Sequence, residues 1–181
     1  MRIISYNVNG IRSAIKKGFI DWLATDPADI ICLQEIKAQQ GDIKVEAFEH
    51  AGYKSYWFCA QKKGYSGVAF LTKVPLEIVV YGSSIEQSDF EGRVIRADLS
   101  DVTLVNAYFP SGTSGELRQA YKYVWLEEFL QYLNDLKKTR KKLIVCGDYN
   151  IAHTEIDIHN PVRTKKLQAF YPRKEHGLIN F

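Results

Sequence analysis

Four apolar runs in this chain stop abruptly at polar residues. RIIS runs into Tyr6-Asn7-Val8-Asn9, IICL into Gln34-Glu35, VTLV into Asn106 and Tyr108, and LIVC into Gly147-Asp148-Tyr149-Asn150. Each run is short, rich in Ile and Val and bounded by polar residues, which is the pattern of a strand with little solvent contact. A plain core strand needs only a turn former at its end. These ends instead repeat carboxamides, carboxylates and a phenol. In open α/β sheets, ligand sites form beyond the carboxyl ends of strands, so the chain reads as a sheet protein with its chemistry at the strand tips. Taken singly, each of these Asn and Glu residues also suits a turn or a cap, and that reading stays open beside the functional one.

The remaining segments supply the rest of a mixed sheet. Residues 53–60 and 67–73 read as strands around QKKGYS, and 76–82 as another. RVIRADL and VTLVNAYFP flank Ser100-Asp101, a two-residue hairpin connection. Helical spacing places Ile15, Phe19, Trp22 and Leu23 on one face of a helix over 15–24. The clearest helix spans about 115–138, with Leu126, Phe129, Leu130, Leu133 and Leu136 recurring on one face. Hairpins mixed with strand–helix–strand crossings imply a mixed sheet with helices outside it.

Composition excludes several classes. At 181 residues the chain fits one domain or a large piece of one, and 46% apolar with 25% charged residues rules against disorder. No apolar run is long enough to span a bilayer, and MRIISYNVNGIR lacks the apolar core of a secretory signal. Cys32, Cys59 and Cys146 sit in apolar segments without CxxC spacing, which reads as reduced thiols in a cytoplasmic protein. The net charge of +3 is unevenly spread: residues 137–181 hold ten Lys/Arg against four Asp/Glu. KKTRKK (137–142) ends the long helix, where cations suit the macrodipole, and reads as a solvated terminus before a phosphate patch.

The strand-tip set is rich in oxygen donors and poor in His and Cys, which suits a hard cation. Mg²⁺ takes one or two protein carboxylates and leans on water and substrate phosphates for its remaining ligands.

The motifs SYNVNGIR, DIICLQEIK, GYSGVAFLTK, VNAYFP and CGDYNIAHTEIDIHNP, in this order, resemble the exonuclease III / AP endonuclease family, part of the endonuclease/exonuclease/phosphatase group. The likeness covers roughly residues 1–166; GDYNIAHTEIDIHNP is specific, whereas LQE or GYSG alone is weak. It implies an α/β fold, a mixed-sheet α/β/β/α sandwich of the deoxyribonuclease type. The implied activity is a divalent-metal-dependent DNA repair nuclease that hydrolyses phosphodiesters 5′ to abasic sites and at 3′ ends. The implied cofactor is Mg²⁺, with Mn²⁺ an alternative, and the implied partner is double-stranded DNA with abasic sites or 3′ ends.

Residue by residue, the resemblance implies Glu35 as the main metal carboxylate, with Asn7 beside it and Asn9 as support. Tyr108 corresponds to the tyrosine that contacts the scissile phosphate. Asp148 orients or deprotonates the attacking water, and Asn150 helps fix the phosphate. DNA-facing candidates are Arg12, Lys37, the Tyr65-Ser66-Gly67 turn, Arg93, Arg118 with Lys122, and Asn160. His153 supports the loop that Asp157 and Pro161 complete. For Arg118 and Lys122, one turn apart, an exposed helix face is an equal reading.

The pattern breaks toward the end. The family's GxRxDY and SDHxP stretches are absent, and no histidine follows an aspartate. The expectation is therefore that the C-terminal part of the second sheet is missing, with 1–166 the N-terminal part of the nuclease domain and 167–181 an atypical tail. Back-translated and read two bases later, residues 166–179 can spell the family's usual GFxPEER continuation, so a frameshift is the expected origin of that tail. The second functional reading is a catalytically inactive nucleic-acid-binding remnant lacking the Asp-His half of the site.

Overall fold

The computed structural model describes residues 1–112, 115–151 and 156. The chain divides into two compact units: Met1–Tyr108 with Asp135–Asp148, and Phe109–Asn134 with the segment from Tyr149 on.

The first unit carries two four-stranded mixed sheets. In chain order its strands are β1 (Ile3–Asn7), β2 (Ile30–Gln34), β3 (Lys54–Phe58), β4 (Val68–Thr72), β5 (Ile78–Tyr81), β6 (Val94–Asp98), β7 (Thr103–Tyr108) and β8 (Leu143–Asp148). One sheet runs β1-β2-β4-β3 and the other β5-β6-β7-β8. β1 lies parallel to β2, and β7 parallel to β8 with Tyr108 opposite Asp148; the other neighbours are antiparallel. Parallel neighbours need a long crossover, which brings the tips of β1 and β2, and those of β7 and β8, to the same end of their sheets.

β2 and β4 are buried along their whole length, as their unbroken apolar runs predict. Ile30, Cys32, Val68 and Phe70 on one sheet form a cluster with Ile95, Ala97 and Leu104 on the other. The opposite faces of β2 and β4, with Ile31, Leu33, Ala69 and Leu71, pack against Ile11, Phe19, Leu23 and Phe48. These come from the helices α1 (Ile11–Lys16), α2 (Phe19–Thr25) and α3 (Val45–His50). The single helix expected over 15–24 is two: Gly18, left-handed at φ 91°, separates α1 from α2. The short helices α3 and α4 (Glu86–Phe90) were not foreseen.

The Ser100-Asp101 hairpin forms as read, closed by Leu99 N–H donating to Val102 O at 2.9 Å. Beyond it, α5 (Glu116–Thr139) is the long helix, one residue off at each end. The basic cluster at its end is largely paired: Arg140 contacts Asp98 at 3.1 Å and Lys142 meets Asp101 at 2.6 Å. All three cysteines are free, Cys32 buried and the other two half-buried. In the second unit, Phe109 packs on Trp125, Phe129 and Tyr149 with ring centroids 4.7, 5.3 and 4.7 Å away. No helix among the described residues is long and apolar enough to cross a membrane.

Candidate active site

At the shared end of the first unit's strands, one side-chain amide joins the two key carboxylates. Asn7 Nδ2 donates to Glu35 Oε2 at 2.9 Å and to Asp148 Oδ2 at 2.7 Å. The Asn7 carbonyl is turned the other way, accepting from Asn9 N–H at 2.8 Å. Lys37 Nζ sits 2.7 Å from Glu35 Oε1 and donates to Asn9 Oδ1 at 2.7 Å. The Tyr108 side chain hydrogen-bonds Glu35 as well. Asn7, Asn9, Glu35, Lys37, Tyr108 and Asp148 therefore converge, although Asn7 and Asp148 lie 141 residues apart in sequence. Burial pushes the Glu35 carboxyl up, but hydrogen bonds from Lys37, Asn7 and Tyr108, with the Lys37 charge, outweigh it and hold the group below its ordinary value.

Backbone conformation builds this cluster. Asn9, Glu35, Lys37 and Ser66 all have positive φ, at 45°, 57°, 49° and 44°. L residues enter this region at an energetic cost, and such outliers concentrate at functional sites. The three segments that hold them are laced together: Gly10 N–H donates to Glu35 O at 2.8 Å, Ile36 N–H to Gly67 O at 3.2 Å and Lys37 N–H to Ser66 O at 2.9 Å. Gly67 is required here, because at φ 86° a Cβ would lie 2.5 Å from Ile36 Cγ1. Gly147 answers for the Gly-Asp of the last strand, since a Cβ there would overlap the Ala107 carbonyl of β7.

Below the tips, Gln34 and Asn106 tie the two sheets together. Gln34 Nε2 donates to Asn106 Oδ1 at 2.7 Å, and Asn106 Nδ2 donates to Leu33 O and Ala69 O, both at 3.0 Å. Asn106 is thus a structural bridge inside the sandwich, a role its alternating position did not reveal.

The DNA-facing candidates separate. Arg12 and Lys37, with Gly10, Ser13, Lys16 and Gly64, line a cleft of about 390 Å³. Lys16 had gone unnoticed, although its spacing of four from Arg12 on a helix was a usable signal. Arg93 is 1% exposed, inside the first unit. In the second unit, Arg118 stacks on the Tyr121 ring at 4.5 Å, and Lys122, buried, donates to Asn150 O at 2.6 Å. Asn150 has φ 48° and donates through Nδ2 to Phe109 O at 2.9 Å. No sequence signal links Lys122 to Asn150. His153, Asp157, Asn160, Pro161 and the 167–181 tail lie outside the described residues.

Among the described residues no three His, Cys, Asp or Glu side chains cluster into a metal cage. The donor set is instead two carboxylates joined by the Asn7 amide N–H groups, and an ammonium already rests on Glu35. That chemistry fits a hard, partly hydrated cation such as Mg²⁺ better than Zn²⁺.

Fold and site together define a two-sheet α/β sandwich with a cluster of carboxylates and a carboxamide at its strand tips. The profile of the Endonuclease/Exonuclease/phosphatase family matches residues 4–179. The chain belongs to that family, in the exonuclease III / AP endonuclease group that its motifs resemble. It is 38% identical to the exodeoxyribonuclease of Bacillus subtilis over 182 aligned positions, covering all of this chain and 71% of the relative. It is 41% identical to the DNA repair nuclease APEX1 of Danio rerio, covering 98% of this chain and 57% of the relative. The AP endonuclease structure from Archaeoglobus fulgidus superposes with a TM-score of 0.81 at 33% identity, covering 94% of this chain and 65% of that one. The chain thus spans between about half and three quarters of these relatives' lengths.

Proposed function

We propose that this chain is a Mg²⁺-dependent DNA repair nuclease, hydrolysing phosphodiesters 5′ to abasic sites and at 3′ ends of double-stranded DNA. The observation that carries the reading is the meeting of Glu35 and Asp148 on one Asn7 amide. Glu35 is the carboxylate that would hold the cation, and Asn7 fixes the orientation of that carboxylate. When bound, Mg²⁺ supplies charge neutralisation at the phosphoryl oxygens without proton transfer. Asp148 accepts a proton from water as the water oxygen bonds to phosphorus and the bond to the 3′ oxygen breaks. General-base help of this kind is typically worth about 10²–10⁴-fold. Tyr108, a phenol donor at the rim, suits a phosphoryl oxygen as charge grows there. The cleft lined by Arg12, Lys16 and Lys37 suits the neighbouring backbone phosphates.

The test is incision of an abasic-site duplex in Mg²⁺ by the full chain, Glu35→Ala and Asp148→Ala. The expected outcome is cleavage that falls at least about 10²-fold in both variants. DNA binding without any cleavage by the unmodified chain would instead support the inactive remnant.

A further inference from the structure

Arg93 resembled a DNA contact in sequence, yet each nitrogen of its guanidinium has a partner inside the first unit. Nε meets Glu91 Oε2 at 2.6 Å, with both side chains nearly inaccessible to solvent. Nη1 donates to Tyr108 O at 2.7 Å and Nη2 to Tyr65 Oη at 3.1 Å. The Tyr108 amide returns a bond to Arg93 O at 2.8 Å. The same guanidinium lies against two aromatic rings, 5.1 Å from the centroid of Tyr108 and 5.8 Å from that of Tyr65. A buried ion pair is a poor source of stability, because desolvation offsets most of its attraction. What this one provides is geometry: a planar five-donor fork that fixes where Tyr108 can stand.

We infer that Arg93, with Glu91 as its counter-ion, is a positioning residue for the nuclease site, clamping Tyr108 so that its phenol stands beside Glu35, from where it turns to the scissile phosphate. Arg93 acts through Tyr108 and touches no substrate. The inference rests on the proposed nuclease reading and assigns the buried pair a part in it. It also makes the Tyr65 turn and the Tyr108 strand one rigid body, because both rings lean on one cation.

The test is a double-mutant cycle on the full chain with Arg93→Lys, Tyr108→Phe and both, read by single-turnover cleavage of an abasic duplex in Mg²⁺. Lysine keeps the charge opposite Glu91 but lacks the fork. Arg93→Lys alone is expected to slow cleavage about 10- to 100-fold while DNA affinity moves less than about 3-fold. In the Tyr108→Phe background the same change is expected to add less than about 3-fold, since the hydroxyl it positions is gone. Losses that multiply, or a loss confined to DNA affinity, overturn the inference. Should Arg93→Lys fail to fold, Tyr65→Phe, which removes the acceptor of the Nη2 bond, is read in the same way.

A second measurement needs no activity. With ring-¹³C tyrosine, the Tyr108 signal, assigned by its loss in Tyr108→Phe, is expected to shift in Arg93→Lys and in Tyr65→Phe. An unmoved signal overturns the clamp. Failure of the nuclease reading has a different signature, namely an unmodified chain that does not cut DNA, and the Tyr108 signal decides the clamp even then.

Discussion

Glu35 stands between opposing influences, since burial disfavours its charge while Lys37, Asn7 and Tyr108 favour it, and the second group prevails. A carboxyl held below its ordinary value adds stability while it is ionised. That contribution is fully present above the ordinary value of 4.5 and disappears as pH falls through the lower, folded-state value. In chelator-treated protein, urea unfolding between about pH 3 and 6 should therefore show a steeper acid-side loss of stability for the unmodified chain than for Glu35→Gln. Parallel pH profiles would mean that the Lys37 and Asn7 contacts do not persist in solution.

Between elements, the Gln34–Asn106 bridge is the contact whose removal is most informative. Asn106→Ala would remove three buried hydrogen bonds at once, those to Leu33 O, Ala69 O and Gln34 Nε2, although Gln34 Nε2 keeps Cys32 O at 3.0 Å. Each such bond contributes about 0.5–1.5 kcal/mol net. The variant should lose about 3 kcal/mol by denaturant titration, and a loss under about 1 kcal/mol would show that water replaces the side chain. This bridge also marks how far sequence could lead. The unbroken apolar runs of β2 and β4, the Ser100-Asp101 connection and the Leu/Phe repeat of α5 all declared themselves, because burial and period leave direct traces in residue order. Apolar periodicity passed straight over Gly18, since a left-handed residue ends a helix without disturbing the spacing of Ile15, Phe19 and Trp22. The α4 segment EQSDF has no apolar repeat at all; Asp89 holds it by accepting from Ser83 N–H at 2.7 Å and Ser84 N–H at 3.0 Å. The residues grouped by motif spelling, Glu35, Asn7, Tyr108 and Asp148, lie together in the structure, whereas Arg93 turned inward. Whether a long cation points out to a ligand or in to a carboxylate depends on residues brought near by the fold, here Tyr65 and Tyr108, and no local pattern records that.

For the molecule as a whole, charge is spread in a way that favours a polyanion. Residues 137–181 carry ten cations against four anions, and Arg12, Lys16 and Lys37 share a cleft. Duplex affinity should fall steeply with salt, and replacing Arg12 and Lys16 by Gln should flatten the slope of log affinity against log salt by roughly one unit per lost phosphate contact. A slope unchanged by the double substitution would place the DNA elsewhere. The left-handed backbone at Asn9, Glu35, Lys37 and Ser66 has a consequence for the whole chain. Such conformations burden the fold, and glycine or asparagine would bear them more easily. Evolution under heat alone, blind to turnover, would thus drift toward those residues at 35 and 37, hardening the chain while it dismantled the Glu35–Lys37 pair and the Asn7 contact.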